Sequence, residues 1–187
     1  MKVTTTDING LLVIEPRVFG DSRGFFLESW KESKFDELVG KPVHFVQDNH
    51  SKSDAGTLRG LHIQTENPQG KLVRVVSGSV FDVAVDLREG SSTYGKWYGV
   101  VLSAENKKQL WIPRGFAHGF LALEDGTEFL YKCDDYYNPS SEFSIQWNDK
   151  EVGINWEQFG VVSNLKISDK DANGISLNEF TDLGFKL

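Results

Sequence analysis

The sequence predicts an all-β protein, a sandwich or a barrel of many short strands. Short stretches rich in β-branched and aromatic residues recur along the chain, and turns made of Gly, Asn, Pro and Asp separate them at even spacing. The composition agrees, because 18 Gly, 5 Trp and 13 Phe are typical of a turn-rich protein with an aromatic core. Convincing helical periodicity is confined to one segment. At 187 residues, the length favours one domain spanning 1–187.

The first third of the chain contains two predicted strands and the predicted helix. Leu11–Ile14 is a short apolar strand, and a second strand, Phe25–Trp30, follows the turn Gly20–Gly24. The helix is expected over Ser33–Val39, where the first serine can cap it and the glycine after the last valine ends it. Val43–Ser51 begins as a strand and ends in polar residues, which form either a turn or the rim of a site.

The rest of the chain continues as short strands. The longest β signal is Lys71–Val76 followed, after a bend at Ser77-Gly78, by Val80–Leu87. Alternation in Val80–Leu87 predicts a half-buried strand, with Asp82 and Asp86 on its polar face. Further strands are predicted at Trp97–Leu102, Gln109–Ile112, His118–Leu123, Thr127–Cys133 and Phe143–Trp147. A short peripheral helix is predicted near Leu177–Leu183.

Gly56–Gln64, with the sequence Gly-Thr-Leu-Arg-Gly-Leu-His-Ile-Gln, places two functional side chains in an apolar strand. Strict alternation would send Arg59 and His62 to opposite faces. A bulge at Gly60 would instead turn both toward one cavity, since a glycine inside a strand often marks a bulge. The alternative is a core histidine with satisfied hydrogen bonds and an arginine at the rim. Both interpretations stay open at this point.

The charge and the cysteine count exclude several classes of function. A net charge of −7 argues against binding to nucleic acids or anionic membranes, because both need a basic face. A few local cations can still hold an anionic small ligand. Cys133 is the only cysteine, so an intramolecular disulfide is impossible. The N-terminus has no signal-peptide core, and no apolar run approaches the ~18 residues of a membrane span. We therefore expect a cytoplasmic protein.

The sequence lacks the motifs that would indicate a metal site, a serine nucleophile or a nucleotide-binding loop. Metal-binding barrels usually carry His-X-His followed by a glutamate, whereas here the pattern is His62-Ile63-Gln64 with Pro68 near the expected acid. No Gly-X-Ser-X-Gly, Walker or dinucleotide motif occurs. Each remaining candidate acid, base or cation also has an interpretation without function: the tyrosine as a core residue, the lysine as a solvated side chain and the carboxylate as a surface group. These candidates are His62, His118, Tyr131, Arg59, Lys71 and Asp171.

Seven stretches of the chain together carry a resemblance to a known family. They are Phe19–Glu28, Gln47–Ser51, Gly56–Gln64, Lys71–Arg74, Asp82–Arg88, Leu110–Phe120 and Leu130–Lys132. In this order they closely resemble the dTDP-4-dehydrorhamnose 3,5-epimerase family. The resemblance implies a cupin-like jelly roll with a few short peripheral helices, which forms a homodimer and uses no metal and no cofactor. It also implies conversion of dTDP-4-dehydro-6-deoxy-D-glucose to dTDP-4-dehydro-L-rhamnose, as part of L-rhamnose supply for cell-surface polysaccharide.

The resemblance also implies roles for individual residues. His62 matches the catalytic base, Asp171 its supporting carboxylate and Tyr131 the general acid. Lys71 is the candidate for stabilising the enolate oxygen that forms when a proton leaves the carbon next to a ketone. Tyr137 matches an aromatic residue that stacks on thymine. The positions that match nucleotide-sugar ligands are Arg23, Glu28, Gln47, Asn49, Arg59, Lys71, His118, Glu142 and Lys170.

Two alternatives to a double epimerisation stay open. The same binding residues would permit an enzyme that inverts only C3 or only C5 of a dTDP-4-keto-6-deoxysugar, although Tyr131 at the acid position favours the double reaction. A non-catalytic sugar-binding jelly roll is the alternative outside enzymes. Solvent deuterium distinguishes them, because a binding protein would not exchange it into the sugar.

Overall fold

Strands dominate the computed structural model, which describes residues 1–159 and 165–187. The helices in these ranges are short: α1 Glu32–Val39, α2 Asp169–Ala172 and α3 Leu177–Asp182. The all-β prediction is therefore confirmed. The strands are β1 Lys2–Thr5, β2 Leu12–Glu15, β3 Val18–Asp21, β4 Gly24–Leu27, β5 Gln47–Ser53, β6 Leu58–Gln64, β7 Lys71–Ser77, β8 Ser79–Asp86, β9 Trp97–Ser103, β10 Gln109–Ile112, β11 Phe116–Ala122, β12 Thr127–Cys133 and β13 Glu142–Ser144.

Most of these strands belong to two antiparallel sheets. One sheet has six strands in the order β1-β2-β10-β7-β12-β5, and the other has five in the order β13-β6-β11-β8-β9. Many neighbours in each sheet are distant in the chain, as in a jelly roll. β3 and β4 pair with each other and form a separate hairpin. The predicted sandwich thus has two main layers.

The apolar side chains form three layers around the two sheets. An inter-sheet cluster joins Val73 of the six-stranded sheet to Phe120 of the five-stranded sheet. The outer face of the five-stranded sheet is covered by the C-terminal part of the chain, which contributes Phe180. On the outer face of the six-stranded sheet, α1 places Phe35 against Trp111 with ring centroids 5.1 Å apart. Both faces of the central strands are consequently shielded from water.

β8 differs from its prediction, because all eight of its residues are buried rather than half-buried. The strand lies between β11 and β9, and apolar layers cover both of its faces. Its two aspartates are paired inside the protein instead of facing solvent. Asp82 bonds to His118, and Asp86 accepts hydrogen bonds from Arg88 among other donors. Burial raises the pKa of Asp86, but these hydrogen bonds bring it down to about 2.

Several boundaries near the N-terminus also differ from the predictions. β5 begins at Gln47, because the apolar residues before it pack into the α1 layer, where Val43 is buried and Phe45 contacts Trp111. α1 begins after Lys31 and has no side-chain cap, so Ser33 is not its N-cap. The glycine stop at its end is confirmed. Among the described residues, no helix is both long and apolar enough to cross a membrane.

Candidate active site

β6 carries a bulge at Gly60, which was one of the two interpretations that the sequence left open. His62 pairs with His118 of β11, but Arg59 pairs with Phe120, so β6 contains one residue more than its partner over this stretch. Gly60 has φ +115°, and a Cβ there would lie 2.5 Å from the Cα of Gly119. Only glycine therefore fits this position.

The bulge sets which residues of β6 share a face. Leu58, Leu61 and Ile63 all join the outer apolar cluster. Arg59 and His62 share a face, since both alternate with these core residues and point to the inner side of the five-stranded sheet. Arg59 is at the exposed rim, where its Nε donates to Ser53 Oγ at 3.1 Å.

His62 is paired with the buried carboxylate of Asp171. His62 Nε2 and Asp171 Oδ1 are 2.6 Å apart, and Asp171 Oδ2 also accepts from the backbone N–H of Gly60 at 3.3 Å. Ser168 caps α2 and so positions Asp171. Burial raises the pKa of the Asp171 carboxyl, but the hydrogen bond and charge of His62 and the hydrogen bonds of Gly60 and Ser168 together outweigh it, so that its pKa lies below the ordinary value. An ionised Asp171 leaves Nδ1 of a neutral His62 as the free base.

Lys71 and Tyr131 come from the opposite wall. Tyr131 of β12 pairs with Val73 of β7. Val73 belongs to the inter-sheet cluster, and Tyr131 packs against the same cluster. Lys71 is two residues from Val73 and therefore shares its inward face. It lines one depression together with His62 and Glu142. The sandwich thus brings a cation and a phenol toward the imidazole from the other sheet.

Burial changes the pKa of both residues on this wall. It lowers the pKa of the Lys71 ammonium. It raises the pKa of the Tyr131 phenol, an effect that the charge of Glu142 strengthens and that of Arg59 weakens. Tyr131 is consequently protonated at neutral pH and can donate a proton.

A second histidine–aspartate pair lies beside His62. His118 is the direct neighbour of His62 across β6 and β11, and its Nε2 is 3.0 Å from Asp82 Oδ2. Both side chains are buried. Sequence reasoning proposed His118 and missed Asp82, because simple alternation assigns the aspartate to a polar face. The signal that could have found it is a carboxylate within an otherwise apolar strand.

Polar residues form a connected rim around the depression. Tyr137 Oη donates to Glu142 Oε2 at 2.8 Å, and Lys170 contacts the same oxygen. Burial raises the pKa of Glu142, but Lys170, Tyr137 and the charge of His62 together outweigh it, and the pKa is below its ordinary value. The backbone N–H of Tyr137 donates to Gln47 Oε1 at 3.0 Å, and Gln47 Nε2 donates to Asn49 Oδ1 at 3.1 Å. These five predicted ligands therefore lie together.

Arg23 and Glu28 are the two predicted ligands that stay apart from this rim. Arg23 is on the β3–β4 hairpin, and its NH2 group is 2.6 Å from Asp21 Oδ2. Glu28 follows the hairpin and binds Lys34 at 2.7 Å. Hydrogen bonds within the described chain connect neither of them to the His62 wall.

The arrangement is suited to moving protons at carbon. It combines a base held by a carboxylate with a protonated phenol and a half-buried lysine on the opposite wall. Within residues 1–159 and 165–187, no three His, Cys, Asp or Glu side chains cluster as metal ligands.

Comparison with known proteins agrees with this geometry. A dTDP-4-dehydrorhamnose 3,5-epimerase from Shigella flexneri is 58% identical over 175 residues, which are 93% of this chain and 94% of that protein. The crystal structure of a dTDP-6-deoxy-D-glucose-3,5-epimerase from Legionella pneumophila, in complex with dTDP-4-keto-L-rhamnose, has TM-score 0.94 and 50% identity, and the match covers 100% of this chain and 98% of that one.

A 3'-monoepimerase from Streptomyces bikiniensis, in complex with dTDP-quinovose, has TM-score 0.89 and 31% identity over 97% of this chain and 90% of that one. The family model for dTDP-4-dehydrorhamnose 3,5-epimerase matches residues 5–179. The predicted family and its cupin-like fold are thus confirmed. The chain belongs to the dTDP-4-dehydrorhamnose 3,5-epimerase family.

Proposed function

We propose that this chain converts dTDP-4-dehydro-6-deoxy-D-glucose to dTDP-4-dehydro-L-rhamnose by inverting C3 and C5 without a cofactor. The observation that carries the proposal is the His62–Asp171 hydrogen bond of 2.6 Å, on the wall opposite Tyr131. The reaction belongs to dTDP-L-rhamnose biosynthesis. We infer a cytoplasmic location, where a buried cysteine with no disulfide would stay reduced.

The ketone at C4 determines what the protein must supply. It acidifies the protons on C3 and C5, so that a neutral imidazole at van der Waals distance can remove each of them. His62 is this base, and Asp171 holds it in the tautomer with a free Nδ1. The electrons move onto the ketone oxygen and form an enolate. Lys71 stabilises this oxygen, and one such donor is worth roughly 3 kcal/mol of barrier.

The polar rim accounts for nucleotide recognition by an acidic protein. Arg59 provides a planar fork of donors for a diphosphate oxygen pair, and Lys170 provides a second cation. The exposed ring of Tyr137 is available for stacking on thymine. His118 and Glu142 border the sugar. A few local cations thus hold the anionic substrate despite the net charge of −7.

Proton NMR of the substrate with the protein in D₂O tests the function. Deuterium should replace the protons at both C3 and C5, and the product should have inverted configuration at both centres. Exchange and inversion at one carbon would instead support a single-centre epimerase like the monoepimerase relative. Absence of exchange at both carbons would support a non-catalytic sugar-binding protein.

Replacement of Asp171 by Asn should lower turnover without abolishing it. The base remains, but it loses the carboxylate that selects its tautomer, and we expect a loss of roughly 100-fold, within the range of a positioned base. The matched control is Asp169→Asn on the same short helix, whose carboxylate is exposed. Steady-state kinetics of both variants decide the assignment. Full activity of D171N with an impaired D169N would transfer the role to Asp169.

We also propose a homodimer in which the β3–β4 hairpin packs against the second copy. Phe25 and Phe26 on this hairpin are 61% and 69% exposed, and adjacent exposed aromatic rings are typical of a contact surface. Arg23 and Glu28 flank these rings, so a dimer would allow them to reach the partner's site.

Light scattering at micromolar concentration should give twice the mass of the chain. The double variant F25S/F26S should reduce this value to the mass of one chain, because it removes the apolar contact. A wild-type monomer at this concentration would refute the dimer.

A further inference from the structure

β8 carries a buried carboxylate that no step of the proposed reaction uses. Asp82 has 0% exposed surface, and its Oδ1 and Oδ2 are 3.1 and 3.0 Å from Nε2 of His118. A buried carboxylate is destabilising unless neighbouring groups compensate its charge. Its neighbours therefore indicate what it does.

The His118–Asp82 pair repeats the His62–Asp171 pair on the same wall. His118 and His62 are direct neighbours in register, which places their Cβ atoms about 5 Å apart. In each pair, Nε2 is turned toward a buried carboxylate. Both imidazoles consequently leave Nδ1 as the nitrogen that can face a ligand in the cavity.

Lys71 approaches this pair from the other sheet. It lines one depression with Phe116, and His118 is two residues beyond Phe116 on the same face of β11. Burial lowers the pKa of Lys71, and the charge of Asp82 opposes this effect. Burial raises the pKa of Asp82, and the adjacent His118 and Lys71 oppose that rise. The other titratable groups that act on Lys71 are Cys133, Glu142 and Lys170.

We propose that Asp82 is a positioning residue of this active site, which orients the His118 imidazole and places a negative charge behind the half-buried Lys71 ammonium. The proposal rests on the roles given above to His118 and Lys71. Asp82 acts through His118, because both of its carboxylate oxygens lie within 3.1 Å of His118 Nε2. It acts as a fixed charge behind two groups that face the sugar.

The pH dependence of kcat for Asp82→Asn tests the charge. The amide has the same size but no charge, so the Lys71 pKa should fall further and the basic limb of the profile should move to lower pH by about one unit. The control is Asp86→Asn, which removes an equally buried carboxylate of the same strand that binds Arg88 outside the site. D86N should lower stability and leave the limb in place. A D82N profile that is scaled down but not shifted would overturn the proposal.

Nitrogen-15 NMR of the imidazoles tests the orientation independently of activity. The chain has 4 histidines, and single His→Gln variants can assign their nitrogen-15 signals. In the wild-type protein, His118 should carry its proton on Nε2, facing an ionised Asp82, and D82N should change this signal while that of His62 stays the same. A wild-type His118 protonated only on Nδ1 would mean that Asp82 is neutral and would overturn the proposal, even if D82N does not fold. Failure of the proposed function would instead appear as absent solvent exchange in the wild-type protein.

Discussion

His62→Ala abolishes solvent exchange at both C3 and C5, if one neutral base removes both protons. We expect a loss of at least about 1,000-fold, within the range that a positioned general base contributes. No other described imidazole has the same combination of a buried carboxylate behind it and an accessible ring: the His62 side chain is 28% exposed, whereas that of His118 is 8% exposed. Proton NMR in D₂O, read separately at each carbon, measures the effect.

The affinity of the His62→Ala variant for dTDP shows whether the variant has lost only its catalytic base or its whole binding site. Its affinity, measured by calorimetry, should change little in His62→Ala, because the proposed diphosphate and thymine contacts lie at the rim. His50→Ala is the matched control, since this exposed histidine of β5 pairs with Glu128 at 3.1 Å away from the proposed chemistry. Retention of more than a few per cent of exchange at either carbon would assign the base to another residue.

Local sequence patterns predicted most of the strands because the causes of strand formation are local. Alternation and turn residues are visible within a few positions, and the glycine inside β6 made a bulge one of the two interpretations left open. The same local reasoning failed at Val43 and Phe45. Their apolar character serves packing against α1, and no short-range pattern distinguishes that from a strand.

Contacts between distant parts of the chain could not be predicted from local patterns. Asp171 is 109 residues from the histidine it supports, and only the family resemblance paired the two residues. Asp82 was missed because its partner, His118, is 36 residues away, and alternation alone cannot distinguish a paired buried carboxylate from a solvated one. Arg23 and Glu28 remain outside the cluster in this chain, where each makes only a local ion pair, with Asp21 and with Lys34.

Tyr131→Phe should separate exchange from inversion. If His62 both removed and returned each proton, the original configuration would be regained, so inversion requires a donor on the opposite face of the sugar. Tyr131 is on the opposite wall, and its burial keeps the phenol protonated by raising its pKa. The variant should therefore retain much of the deuterium exchange that His62 drives and lose most net inversion, by roughly 100-fold. C5 should be affected more than C3, because the family resemblance links this acid chiefly to C5.

One NMR time course of exchange and inversion at each carbon decides the role of Tyr131. Tyr98→Phe is the matched control, since Tyr98 packs against the same inter-sheet cluster from β9 and has no proposed part in the reaction. Equal loss of exchange and inversion in Y131F would mean that Tyr131 only shapes the cavity. Loss of neither would make it a core tyrosine. If Tyr131 is the acid on the opposite wall, Y131F should show exchange without inversion. Without the phenol, His62 is the nearest proton source, and it returns each proton to the face of the sugar from which it was removed.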